Sequence, residues 1–184
     1  MRIHHVARIA SHSGYCSGTL LNSRTVLTCA HFFRNARGVV NVYAAGSRRR
    51  VKDVDTIAGT DIALVDIAPI ESADFPTLGP APARLSGTVT FGYGGRCMSP
   101  EARQGRYLTG LPVAFSRGFT TRVSPAGVVL NTTPAVKGDS GGPVLAGGSI
   151  FAVQSLILDP LGINLGVATV SLLGEGVKAA VEQH

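Results

Sequence analysis

Short apolar runs separated by turn-forming residues recur along almost the whole chain, and they constrain the fold more than any other feature. Runs of this length, rich in β-branched residues and bounded by Gly, Asn, Ser or Pro, predict β-strands. Many short strands at this spacing indicate an all-β barrel or sandwich and not alternating βαβ units. The runs are SGTLL (17–21), TVLTCA (25–30), GVVNVYA (38–44), DIALVDI (61–67), GTVTFGY (87–93), GVVLNT (127–132), GGPVLA (141–146), SIFAVQSLIL (149–158) and GVATVSL (166–172).

A proline-rich connector divides these runs into two groups. It reads DFPTLGPAPARLSG (74–87), and proline at this density cannot continue a sheet ladder. We therefore predict an N-terminal β-barrel over residues 1–75, a linker over 76–86 and a C-terminal barrel over 87–184. The final stretch, LLGEGVKAAVEQH (172–184), differs because its apolar residues recur at three- and four-residue spacing, which predicts a helix.

The composition fits a folded domain and excludes several classes of protein. Hydrophobic residues make up 45% of the 184 and charged residues 15%, which is enough to bury a core. No stretch approaches the roughly 18 uninterrupted apolar residues of a membrane span. The net charge of +6 is densest in SRRRVK (47–52), where no aromatic residues interleave as a nucleic-acid platform would require. We expect this run to be a solvated hairpin turn, with binding of an acidic polymer as the less favoured alternative.

The stretch VKGDSGGPVL (136–145) places Ser140 among glycines and beside an aspartate. A serine hydroxyl is a weak nucleophile at neutral pH and needs a base, usually a histidine that a carboxylate orients. Of the five histidines, His31 directly follows an apolar run, so a predicted strand would hold it. Asp61 opens another such run. Taken singly, His31 could be a packing side chain and Asp61 could cap a turn.

Taken together, LTCAH, GTDIALV and GDSGGPV, in this order, resemble the signature segments of the chymotrypsin-like (trypsin-like) serine peptidase family. The resemblance implies an all-β fold of two six-stranded antiparallel β-barrels with a short C-terminal helix. It implies His31 as general base, Asp61 as the residue that orients it and Ser140 as nucleophile. The N–H groups of Gly138 and Ser140 would form the oxyanion hole. GDSGG also fits the G-x-S-x-G pattern of α/β-hydrolases, but in that fold the acid and the histidine follow the serine.

The resemblance further implies a substrate-binding pocket beside the nucleophile. Its base falls at Pro134, where no carboxylate is available to select Arg or Lys substrates. Ile157 stands where many relatives have glycine, which predicts a shallow pocket that prefers small or medium aliphatic residues before the cleaved bond. Ser155 matches the family's serine that donates a hydrogen bond to the triad aspartate. The implied walls are Ala135, Val136, Ser155, Leu156, Ile157 and Gly166.

The cysteines depart from the family pattern. In relatives the partner of Cys16 usually follows the catalytic histidine, whereas Cys29 precedes His31 by two residues. A Cys16–Cys29 disulfide and a pair of buried free thiols are both compatible with the sequence. Neither of these cysteines nor Cys97 lies in a CxxC pair, so we expect no zinc site.

The activation segment departs as well. In many relatives a freshly cut N-terminal Ile or Val pairs with the acid before the nucleophile, here Asp139, but no IVGG-like segment precedes VARIASHSG. Some bacterial relatives use an internal arginine instead, and Arg96 and Arg122 are candidates for that role. Without a partner, a buried Asp139 would be costly, and the loop that forms the oxyanion hole would collapse.

We therefore predict a serine endopeptidase that acts on peptide or protein substrates, needs no cofactor or metal, is a monomer, and has neither a nucleic-acid nor a membrane partner. The resemblance implies a secreted or extracellular protein, although the first residues, MRIHHVARIASHSG, lack the apolar run of a signal peptide. The alternative is a catalytically silent or latent binding protein with a protease fold. The missing activation segment motivates that alternative.

Overall fold

Six antiparallel strands close the first β-barrel. The computed structural model describes residues 1–184, apart from the side chain of Leu161. The first six strands are β1 (Val6–Ser11), β2 (Gly14–Leu20), β3 (Thr25–Cys29), β4 (Asn41–Ala44), β5 (Ser47–Thr56) and β6 (Ile62–Ile67). Their order around the barrel is β1-β2-β3-β6-β5-β4, and β4 pairs back onto β1.

A second closed barrel of six strands follows the connector, with a small two-stranded hairpin between its second and third strands. The remaining strands are β7 (Gly87–Gly92), β8 (Glu101–Leu111), β9 (Ala114–Phe115), β10 (Arg122–Val123), β11 (Ala126–Asn131), β12 (Pro143–Ala146), β13 (Ser149–Ile157) and β14 (Val167–Leu172). The barrel order is β11-β14-β13-β12-β7-β8, and β9 and β10 pair only with each other among the described strands. The two sets of strands lie on either side of the expected linker 76–86.

Helices are short. They are α1 (His31–Asn35), α2 (Glu175–Gln183) and three single 3₁₀ turns at Ile3–His5, Gly94–Arg96 and Pro160–Gly162. The apolar face of α2 packs Val177, Ala180 and Val181 against the larger core cluster. Among the described residues, no helix is long and apolar enough to cross a membrane. The predicted fold class, all-β with two six-stranded antiparallel barrels and a C-terminal helix, is thus confirmed.

The basic run 47–52 differs from the expected turn. It forms the first half of β5, and the turn that precedes it is made by Ala45 and Gly46, which have positive φ angles of 47° and 71°. Arg48, Arg50 and Lys52 alternate along the strand and are exposed. The run is therefore solvated as expected, but as one outer face of a strand.

Candidate active site

Two neighbouring strand ends bring His31 and Asp61 together. β3 pairs antiparallel with β6, so Cys29, the last residue of β3, lies opposite Ile62, the first residue of β6. His31 follows β3 as the first residue of α1, and Asp61 immediately precedes β6. The Ala30 N–H donates to the Asp61 carbonyl at 3.0 Å, which ties the two ends to each other.

The Asp61 carboxylate is fixed by three hydrogen bonds and is 1% exposed. His31 Nδ1 donates to Oδ2 at 2.7 Å, and the main-chain N–H of His31 donates to Oδ1 at 2.9 Å. The hydroxyl of Ser155, from the second barrel, donates to Oδ2 as well. In its neutral form the imidazole is therefore held with its proton on Nδ1 and none on Nε2, which is the tautomer that a general base requires.

The protonation of His31 depends on this carboxylate. Burial disfavours the imidazolium, but the hydrogen bond to Asp61 and a contact with Cys29 outweigh burial and raise the pKa of His31 to about 10. A general base must be neutral to accept a proton. The reactive fraction of His31 should therefore grow as the pH rises through the alkaline range.

Ser140, the predicted nucleophile, lies in a tight loop between β11 and β12. Residues of the first barrel contact this loop. Gly138 has φ +103°, and a Cβ there would lie 2.6 Å from the Tyr15 ring. The Gly138 carbonyl accepts a hydrogen bond from Ser17 Oγ at 2.7 Å, and the Ser140 carbonyl accepts one from the Ser17 N–H at 2.7 Å. A side chain at Gly141, φ +85°, would collide with the Ser17 carbonyl. Glycine is thus required where the loop meets the first barrel.

The predicted oxyanion-hole donors, Gly138 and Ser140, have their N–H groups available. Within the described part of the chain, neither N–H donates a hydrogen bond to a protein acceptor. The Lys137 carbonyl accepts from the Gly95 N–H at 3.1 Å. In a trans peptide the N–H points opposite to the carbonyl, so this bond turns the Gly138 N–H away from Gly95. Both residues line one cavity with His31.

Asp139, between these donors, is fully buried and has an arginine partner. Its Oδ2 accepts from Arg103 Nε at 3.1 Å and from the Val136 N–H at 2.9 Å, and its Oδ1 accepts from the Gly94 N–H at 2.7 Å. The partner is neither of the arginines, Arg96 and Arg122, that the sequence offered as candidates; it lies on β8, where it pairs with Thr90 of β7 and points inward.

The Ser140 hydroxyl is turned toward the backbone of β13. Its Oγ donates to the Ser155 carbonyl at 3.2 Å, and among the residues described no hydrogen bond joins it to His31. Ser155 is the extra residue of a bulge in β13, since Gln154 and Leu156 pair with consecutive residues of β14. The bulge aims the Ser155 hydroxyl at Asp61 and its carbonyl at Ser140.

A cleft of about 730 Å³ adjoins the nucleophile. Of the predicted pocket residues, Val136, Ser155, Leu156 and Ile157 line it together with His31 and Ser140. Pro134 is exposed, Ala135 and Gly166 are buried, and none of the three is among the lining residues. Most of the rest of the wall, which no sequence motif indicated, comes from the β9–β10 hairpin and from the segment after β13. Those lining residues are Phe115, Ser116, Arg117, Leu158, Asp159 and Pro160.

A second cavity, of about 280 Å³, adjoins some of the same groups. It shares His31, Lys137 and Ser140 with the larger cleft and extends along Tyr15 and Phe32. Ser140 therefore borders both open spaces.

All three cysteines are free thiols. Cys16 and Cys29 are buried, and Cys97 is partly exposed. Of the two possibilities that the sequence left open, the structure has buried free thiols. Cys16 Sγ lies 3.6 Å from Thr28 Oγ1, and Cys29 Sγ lies 3.8 Å from His31 Nε2.

One group of possible metal ligands lies outside both cavities. His4, His5 and Asp74 each offer a donor atom, and these atoms are within 4.8 Å of one another. Arg2 already occupies the group: its Nε is 3.1 Å from Asp74 Oδ2, and its main-chain N–H donates to His5 Nδ1 at 3.4 Å. A metal ion would have to displace both contacts, so we assign none there.

The chain belongs to the trypsin-like peptidase domain family, whose model matches residues 16–153. That range includes the segments that carry His31, Asp61 and Ser140. No curated protein matches the chain.

Solved protease structures share the fold. The active form of the protease Rv3671c from M. tuberculosis is similar, with a TM-score of 0.77, 19% identity, and coverage of 97% of this chain and 79% of that one. Its inactive form gives a TM-score of 0.76 at 19% identity, with coverage of 98% and 89%. The MamO protease domain from Magnetospirillum magneticum gives 0.76 at 16% identity, with coverage of 99% and 96%. The chain therefore has the two-barrel fold of the chymotrypsin-like proteases.

Proposed function

We propose that the protein is a serine endopeptidase that uses Ser140 as nucleophile, His31 as general base and Asp61 as the residue that orients the base. One observation carries the proposal: His31, which is hydrogen-bonded to Asp61, lines one cavity together with Gly138 and Ser140, whose N–H groups are unused. This combination supplies both requirements of acyl transfer, a base for the hydroxyl and donors for the oxyanion.

The reaction would proceed in two halves. Ser140 Oγ attacks the peptide carbonyl carbon while its proton passes to His31 Nε2, and the carbonyl oxygen becomes an oxyanion held by the two N–H groups. The imidazolium then gives the proton to the leaving amine nitrogen as the C–N bond breaks, which leaves an ester on Ser140. Water, deprotonated by His31, attacks the ester and releases the acid and the free serine.

The two cavities favour an endopeptidase. A substrate chain could continue from the larger cleft past Ser140 into the smaller cavity, because both are open and share the nucleophile. In the larger cleft Ile157 narrows the space beside Ser140, which supports a preference for small or medium aliphatic residues before the cleaved bond.

Intact mass after incubation with a fluorophosphonate tests the proposal. The reagent forms a bond to a serine oxygen, with loss of fluoride, when the base and the oxyanion hole are both assembled. We expect one adduct on the wild type and none on Ser140→Ala, which changes little else. An adduct on both proteins would exclude Ser140 as the nucleophile.

A latent or silent binding protein is the second candidate, and the Ser140 hydroxyl favours it because Oγ is bonded to the Ser155 carbonyl and not to His31. Absence of an adduct on folded wild-type protein, across the neutral and alkaline pH range, would support this candidate over the peptidase.

A further inference from the structure

The thiol of Cys29 lies against the reactive nitrogen of His31. Cys29 ends β3, is 0% exposed, and its Sγ is 3.8 Å from His31 Nε2. Nδ1 of the same ring is already bonded to Asp61 at 2.7 Å. Nε2 is therefore the nitrogen that must receive the Ser140 proton, and a buried sulfur that the mechanism does not use is in contact with it.

The sulfur can interact with both protonation states of the ring. Burial raises the pKa of Cys29 well above its usual range, so the group is a neutral thiol. A thiol sulfur accepts a weak hydrogen bond from the Nε2–H of an imidazolium, and its S–H donates weakly to the lone pair of a neutral imidazole. In either state Nε2 has a partner inside the first barrel.

The nucleophile is engaged elsewhere at the same time. Ser140 Oγ donates to the Ser155 carbonyl at 3.2 Å. Both members of the proton-transfer pair thus have other partners, Cys29 for the base and Ser155 for the nucleophile. The contact of His31 with Cys29 and the hydrogen bond of Ser140 to Ser155 must both break before the proton can pass from Ser140 to His31.

We propose that Cys29 is a positioning residue that competes with the Ser140 hydroxyl for His31 Nε2 and so limits how readily the base engages the nucleophile. This inference rests on the proposed function of the same site. Its consequence is that removal of the thiol speeds acylation at neutral pH, whereas removal of a packing residue would slow it or leave it unchanged.

Other charged and titratable groups contact His31 or line the same cavities, and they stay the same in the test. Asp61 contacts the ring directly. The further members of this set line the two cavities with His31: Tyr15, Cys16, Arg117, Lys137 and Asp159. A shift seen only when Cys29 changes therefore belongs to the thiol.

The experiment measures the rate of fluorophosphonate labelling against pH for the wild type, Cys29→Ala and Cys29→Ser. Val26→Ala is the matched control, because Val26 is an equally buried side chain on the same strand as Cys29 and lines neither cavity. We expect Cys29→Ala to react about 2- to 10-fold faster at neutral pH, the equivalent of one net hydrogen bond. Its pH midpoint should move lower, because the Cys29 contact contributes to the raised pKa of His31.

Cys29→Ser should give an intermediate midpoint, since its shorter side chain holds a hydroxyl farther from Nε2, and it serves as the test variant if the alanine protein does not fold. Val26→Ala should keep the wild-type midpoint. Equal rates and midpoints in the wild type and the Cys29 variants would overturn the proposal, as would a slower rate that merely follows a lower melting temperature.

An NMR titration of the His31 ring separates this proposal from the proposed function. The titration reads the pKa of His31 in the wild type and in Cys29→Ala whether or not either protein reacts. A lower pKa in Cys29→Ala supports the contact even if no variant is labelled, an outcome in which the peptidase assignment alone fails. An unchanged pKa in reactive proteins removes the role of Cys29 and leaves the peptidase intact.

Discussion

Asp139 lies in the loop that carries Ser140, and its buried carboxylate needs a partner of opposite charge. Arg103 supplies the opposite charge, and its NH1 also pairs with Glu101 at 2.8 Å on the half-exposed side. The residues around Asp139 fit closely, because a Cβ at Gly94 would collide with the Asp139 carboxylate. The ion pair and the two N–H donors together hold the peptide units of Gly138 and Ser140 in place.

Arg103→Met should abolish the reactivity of Ser140, although Arg103 does not contact the substrate. Removing one partner of a buried ion pair costs about 3–5 kcal/mol, because the remaining charge stays buried. We expect a loss of that size in the free energy of unfolding, measured in urea, and loss of fluorophosphonate labelling. Arg106→Met is the control, because Arg106 lies on the exposed face of the same strand. Full labelling of Arg103→Met would show that the loop keeps its form without the ion pair.

The sequence predicted residues that lie in motifs and missed those that do not. His31, Asp61 and Ser140 follow or open apolar runs, so local pattern and order pointed to them. Arg103 is the third residue of β8, and no motif in the sequence distinguishes it from Arg96 or Arg122. Its partner depends on how β8 is placed in the closed barrel, which is a long-range property that residue spacing does not report.

At the scale of the element, β13 contributes residues both to the predicted triad's surroundings and to the larger cleft. The bulge at Ser155 directs a hydroxyl to Asp61, and the two residues that follow, Leu156 and Ile157, line the larger cleft. A short apolar run bounded by turn residues predicted this strand, but no such run predicted the hairpin of β9 and β10 opposite it. The hairpin has two-residue strands, too short to give a periodic signal.

Ile157→Gly should widen the cleft beside Ser140. The branched side chain is removed from the lining, so large side chains before the cleaved bond should gain access. We expect the ratio of kcat/KM for phenylalanine over alanine peptide substrates to rise about 10- to 100-fold, the range that small changes of pocket volume produce. Ile163→Ala, an exposed change just after the same strand, should leave the ratio unchanged. An unchanged ratio in Ile157→Gly would mean that this residue does not set the preference.

At the scale of the whole molecule, the candidate active site lies between the two barrels, and neither barrel contains all of its residues. The first barrel contributes His31 and Asp61, and the second contributes Ser140 and Ser155. The connections between them are specific hydrogen bonds, among which those of Ser17 are central. Its hydroxyl donates to the Gly138 carbonyl at 2.7 Å and accepts from the Tyr93 N–H at 2.9 Å.

Ser17→Ala tests whether the hydrogen bonds of the Ser17 hydroxyl hold the loop that carries Ser140. The change leaves the Gly138 carbonyl and the Tyr93 N–H without their partner, and a buried polar group left unpaired costs about 1–3 kcal/mol. We expect a lower free energy of unfolding in urea and slower fluorophosphonate labelling, because Gly138 also supplies an oxyanion donor. Ser11→Ala removes a hydroxyl that bonds to Gly14 within its own hairpin, and it should change neither quantity. If Ser17→Ala loses stability but labels at the wild-type rate, the Ser17 hydroxyl joins the barrels but is not needed to hold the loop.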